Sequence, residues 1–164
     1  MMKKNKQHGF TLIEMIIYMF FLSILLLVLT EVFISTLNVQ LESQASSSVN
    51  EDSRFSLSRL TYDLHRAENI VVPTNLGENT TTLQITIEGV DYIYRINSTD
   101  LVLTNNNGSH KLNSFDTTIS NFSVRRLGNV NGKHNLQIKF TVSSKTLRQG
   151  GVEVKNLQTT LGLR

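Results

Sequence analysis

The chain has 164 residues, one proline, no cysteine and a formal charge of +3. That length suits one ordinary domain, and the lack of cysteine excludes disulfides and thiolate metal sites. Lys3, Lys4 and Lys6 supply the whole charge excess, since removing residues 1–9 leaves thirteen basic side chains against thirteen acidic ones. A general nucleic-acid footprint is therefore not supported.

Residues 10–37 read FTLIEMIIYMFFLSILLLVLTEVFISTL, and only Tyr18 and Ser23 interrupt the apolar run between Met15 and Leu29. As a helix, residues 10–29 would span about 30 Å at about 1.5 Å per residue, the hydrocarbon thickness of a bilayer. A helix satisfies its own backbone there. Lys3, Lys4 and Lys6 ahead of the run predict that the N-terminus stays inside and the following domain lies outside. Two other readings fit less well. A core helix this apolar on every face needs a larger protein around it, and a secretory signal lacks its cleavage site, because Ser43 and Ala45 come well after the run ends. Glu14 stands out: a carboxylate near one end of a spanning helix is costly unless paired or protonated, and no Lys or Arg lies between Phe10 and Gln40. An α-amino group created by cutting before Phe10 would supply the missing cation.

The segment Gly9-Phe10-Thr11-Leu12-Ile13-Glu14 resembles the type III signal sequence of type IV prepilins and type II secretion pseudopilins. The match is six contiguous residues, after a short basic leader and before an apolar helix. The resemblance implies that a prepilin peptidase cleaves between Gly9 and Phe10 and methylates the new N-terminal Phe10. It also implies that Glu14 pairs with the N-terminal amine of a neighbouring subunit. A noncatalytic structural subunit of a pilus or pseudopilus follows, with other pilin or pseudopilin subunits, the pilus assembly platform and membrane lipid as partners. No cofactor or metal is called for.

Beyond Leu37, no glycine or proline occurs until Pro73, so the helix is expected to continue outside the membrane. Leu41, Ala45, Val49, Leu57, Leu60, Leu64 and Ala67 fall mostly three or four apart, on one face. Ser46-Ser47-Ser48 and residues 50–53 (NEDS) suggest a soft joint or new N-cap. Residues 58–70 (SRLTYDLHRAENI) restore helical spacing, with Arg59 and Asp63 placed to pair. That stretch is also similar to one in the larger minor pilins and pseudopilins, although an amphipathic helix with a solvated face accounts for it equally.

After Pro73 the period becomes alternating. Leu83, Ile85 and Ile87 share one face of residues 82–88, and residues 88–91 offer a turn into 92–96. Further strands are expected at 101–104, 117–119, 122–127, 136–142 and in part of 152–163. Asn107-Gly108 and Asn131-Gly132 are turn signals. Short connections favour antiparallel pairing. The expectation is an α+β chain: a leader at 1–9, a transmembrane and assembly helix at 10–37, its amphipathic continuation at 38–72 and a β-rich head at 73–164.

No catalytic constellation is visible. His65, His110 and His134 lack metal-site spacing, His8 belongs to the leader, and no GxSxG, SxxK or phosphate loop occurs. Glycosylation-like triplets at Asn79, Asn97, Asn107 and Asn121 match the abundance of Asn, Ser and Thr. A minor or initiating subunit is favoured over the major one by the segment 58–70, the many-stranded head and the missing C-terminal cysteine pair of many major pilins. The alternatives are a single-pass anchored enzyme or binding protein, and a DNA-uptake pilin using a patch around Lys111, Arg125, Arg126 and Lys133.

Overall fold

A computed structural model describes residues 11–129 and 134–163. The chain divides into two compact units, residues 1–40 and 41–164.

One helix, α1, runs Leu12–Arg66. Thr11 starts it as the N-cap: its carbonyl accepts from the Glu14 and Met15 amides at 3.1 and 3.2 Å, and its Oγ1 from the Glu14 amide at 3.4 Å. The joint expected at residues 46–53 is instead continuous helix. Ser, Asn and Asp weaken a helix by competing for its backbone, but here the side chains bond back within the helix without interrupting it. Ser48 Oγ donates to the Gln44 carbonyl at 3.0 Å, Asn50 Nδ2 to the Ser46 carbonyl at 2.8 Å, and Ser47 Oγ to Glu51 at 3.3 Å. Asp52, Ser53 and Ser56 are buried against the head together with Ala45 and Val49. Tertiary packing thus overrides local propensity.

The helix ends at Arg66, short of the expected residue 72. The Glu68 amide donates to the Thr86 carbonyl at 2.9 Å, and the β-branched run at 70–72 enters a strand, β1 Asn69–Val72. Eight more strands follow: β2 Asn79–Thr80, β3 Thr82–Ile87, β4 Val90–Asn97, β5 Asp100–Asn105, β6 Gly108–Lys111, β7 Thr117–Gly128, β8 His134–Ser144 and β9 Val154–Gly162. They form two antiparallel sheets, ordered β1-β3-β4-β5-β6 and β2-β7-β8-β9.

The expected hairpin at 88–91 closes through a two-residue loop, with Ile87 opposite Val90 and Glu88 and Gly89 at φ of 51° and 74°. Two left-handed residues match the twist of the flanking strands. The strands expected at 117–119 and 122–127 are one strand, β7, whose register shifts between Ser120 and Ser123 around Asn121 at φ 53°. A bulge accommodates the extra residue and lets both halves pair with β8. β1, β2 and β6 carry no alternating apolar signature and were not expected as strands.

The core of the second unit joins Val49, Leu60 and Leu64 of α1 to Leu83, Ile85, Ile87, Tyr94, Leu101 and Leu103 from one sheet and Ile119, Val124, Leu136, Ile138, Phe140 and Val142 from the other. The helical stripe is buried at Ala45, Val49, Leu60, Leu64 and Ala67, whereas Leu41 is exposed. This is an α+β, pilin-like architecture: a long N-terminal helix packed through its later turns on antiparallel sheets.

Polar contacts then lock helix to sheets. Fully buried Asp63 accepts from Arg59 Nε at 2.8 Å and from the Tyr94 hydroxyl. Burial, and then this carboxylate, push the Tyr94 phenol well above its usual range. Asp52 Oδ2 accepts from the Ser114 amide at 2.8 Å, the Ser114 hydroxyl at 2.7 Å and the Thr117 hydroxyl. Ser56 Oγ donates to the Leu112 carbonyl at 3.1 Å. Arg126 Nη1 donates to the carbonyls of Pro73 and Thr74 at 3.1 and 2.9 Å, fastening the β1–β2 connection to β7.

Candidate assembly segment

The first turns of α1 carry the chemistry. Each large apolar side chain from Leu12 to Leu37 is at least 41% exposed, so this surface needs an apolar environment from lipid or from other helices. α1 is long and apolar enough to cross a membrane.

Thr11 at the N-cap places Glu14 at the third helical position, an S/T-x-x-E arrangement. The carboxylate there also faces the positive end of the helix dipole. Its Oε1 accepts from the Tyr18 hydroxyl at 3.1 Å, one turn on. A neutral donor orients the acid but does not neutralise it, and residues 11–40 contain no Lys or Arg. Glu31 is the other acid of this segment. It lies seventeen residues beyond Glu14, about 25 Å along a helix and so close to the far boundary of a 30 Å layer.

Of the residues singled out from sequence, Glu14 lies within this structure, whereas Lys3, Lys4, Lys6, Gly9 and Phe10 lie outside the described residues. The Thr11 cap was missed in the sequence, although the T-x-x-E spacing within the same motif is the signal that could have found it. The i, i+4 pairing expected of Arg59 and Asp63 forms at 2.8 Å, whereas the bonds from Tyr94 to Asp63 and from Thr117 to Asp52 carried no local signal, because those partners are distant in sequence.

The described basic residues singled out in the head are divided between the two sheets. Lys111 on β6 pairs with Asp100, and that pairing holds the Asp100 carboxyl below its usual range. Arg125 and Arg126 lie on β7 in the other sheet, with Arg126 Nη1 committed to backbone carbonyls. Lys133 lies outside the described residues. His65 and His110 are exposed, whereas His134 is half-buried with an Nδ1 that has no partner among the described residues. No group of three or more potential metal ligands occurs among the described residues.

An α+β protein with one helix among the described residues, apolar and exposed in its N-terminal part and with an acid in its first turn, has a pilin-like architecture. Residues 4–30 match the family described as the prokaryotic N-terminal methylation motif, which supports a type IV prepilin- or pseudopilin-type protein. No curated protein and no solved structure matches it. The motif belongs to structural subunits that are processed by prepilin peptidase and assembled with other pilin subunits, and together with the apolar helix it fits an inner-membrane-anchored pilin.

Proposed function

We propose that the chain is a minor or initiating subunit of a type IV pilus or type II secretion pseudopilus, and not an enzyme. It inserts as a single-pass precursor, with the leader at 1–9 and its Lys3, Lys4 and Lys6 on the cytoplasmic side. Prepilin peptidase cuts between Gly9 and Phe10 and methylates Phe10. Residues 10–37 then move from lipid into the filament, and the residues beyond form the extracytoplasmic head.

The observation that carries this reading is Glu14: an acid in the first turn of an apolar, exposed helix, with no cation in residues 11–40. Leaving lipid is tolerable only if neighbouring helices replace its contacts and the acid meets an ammonium group. The cut at Gly9 creates such a group at Phe10. Glu14 thereby sets the register between neighbours.

The test is coexpression with a prepilin peptidase followed by mass spectrometry. A methylated N-terminal Phe10 is expected, with Gly9→Ala blocking it. Glu14→Ala should leave membrane insertion intact and reduce incorporation into filaments. Normal incorporation of that variant removes Glu14 from its role.

A further inference from the structure

Phe115 and Leu147 are the two most exposed large apolar side chains described within residues 41–164, at 88% and 76%; Tyr62 follows at 55%. They occupy different loops, Phe115 between β6 and β7 and Leu147 between β8 and β9. The two loops are joined. The Lys145 amide donates to the Asp116 carbonyl at 2.8 Å, and Lys145 Nζ to the Phe115 carbonyl at 2.8 Å while lying 5.1 Å from the Phe115 ring centroid.

This rim is fixed to the N-terminal part of the head's own helix. Arg148 Nη1 donates to Glu42 at 3.2 Å, its Nε donates to the Gly151 carbonyl at 3.0 Å, and its other nitrogen pairs with Glu153. Lys155, the second residue of β9, donates to Asn50 Oδ1 at 2.6 Å. The Phe115 loop is pinned by Asp52, and by Asn113, whose Oδ1 accepts from the Leu101 amide at 3.0 Å. Little ordering cost therefore attends a contact made by either side chain.

We propose that Phe115 and Leu147 form a membrane-contacting rim, through which the head of the precursor rests on the outer surface of the bilayer that holds its apolar helix. The inference rests on the membrane-anchored reading and adds a lipid partner for the head. Chain connectivity selects lipid as the occupant. Glu42 lies five positions beyond Leu37, the end of the apolar run, and such a stretch cannot exceed about 18 Å even fully extended. The opposite end of the head, where Arg66 bonds Glu88 at 2.7 Å, is about 36 Å along the helix from Glu42. Residues 10–37 as a helix measure about 42 Å against a hydrocarbon layer of about 30 Å, an excess that tilt relieves. At any tilt, the tether holds Glu42 within reach of the headgroups. A phenyl ring beside a lysine ammonium has the amphipathic character favoured at that depth. The tether keeps the local concentration of lipid high, so a small contact is sufficient.

The absence of cysteine makes the test direct. Full-length Leu147→Cys, Phe115→Cys and, as a distant control, Asn69→Cys are labelled with an environment-sensitive fluorophore. Each is reconstituted into phosphatidylcholine vesicles containing lipids spin-labelled at the headgroup boundary. Quenching several-fold stronger at residues 147 and 115 than at 69 is expected. Equal quenching at all three positions, with the helix still resistant to carbonate extraction, overturns the rim alone. Extraction of the protein by carbonate overturns the membrane reading and the rim with it. Shielding of residues 147 and 115 only when other pilin subunits are present assigns the surface to a protein and overturns the lipid contact.

Discussion

Asp52→Ala removes the acceptor on which the 112–117 loop depends. The wild-type carboxylate takes three hydrogen bonds at Oδ2, from the Ser114 amide and hydroxyl and from the Thr117 hydroxyl. Ser114 is exposed and water can replace its partner, so those two bonds are worth about 0.5 kcal/mol each. Thr117 is fully buried, and its orphaned hydroxyl costs about 1–3 kcal/mol. The total is about 2–4 kcal/mol, which in a domain of this size lowers Tm by about 8–15 °C. Circular dichroism in detergent measures the loss, and hydrogen exchange locates it, with amides of residues 112–119 exchanging faster than those of β3 and β4. Asp52→Asn keeps an acceptor but not the charge, and about half the loss is expected. Stability of Asp52→Ala within about 0.5 kcal/mol of wild type, with unchanged exchange in the loop, would refute the assignment of Asp52 as the loop's anchor.

Tyr94→Phe deletes the hydroxyl donor to buried Asp63 and should cost about 1.5–3 kcal/mol by thermal unfolding, with Arg59 retaining its contact. Because the Tyr94 phenol is raised in the folded state, its stabilisation is complete below the unfolded value of about 10 and declines as pH rises beyond it. Wild type should therefore lose stability faster than Tyr94→Phe above pH about 10, and identical alkaline profiles would contradict this. Arg126→Ala frees the carbonyls of Pro73 and Thr74. Local release is expected, with faster proteolysis in residues 73–78 and a loss of about 1–3 kcal/mol, while Arg126→Lys restores only part of it.

Local chemistry made much of this protein legible in its sequence. An unbroken apolar run announces a helix that needs lipid or other helices, because its side chains alone decide its solvent. Glu14 is conspicuous for the same reason: an acid at the start of such a run has no local cation to answer it. The hairpin at Glu88-Gly89 was readable because alternating residues flank a turn that requires positive φ.

Only the tertiary structure decided where local signals were weak or misleading. The polar residues 46–53 read as a break, yet they remain helical because Ala45, Val49, Asp52 and Ser53 are buried against the head. The helix stops at Arg66 because β3 offers the following residues a strand to pair with. Asp52 gained Thr117, and Asp63 gained Tyr94 beside its local partner Arg59, only when folding brought together residues 65 and 31 positions apart. Periodicity reports which face of an element is apolar, but hydrogen-bond partners far along the chain exist only after the chain has closed on itself.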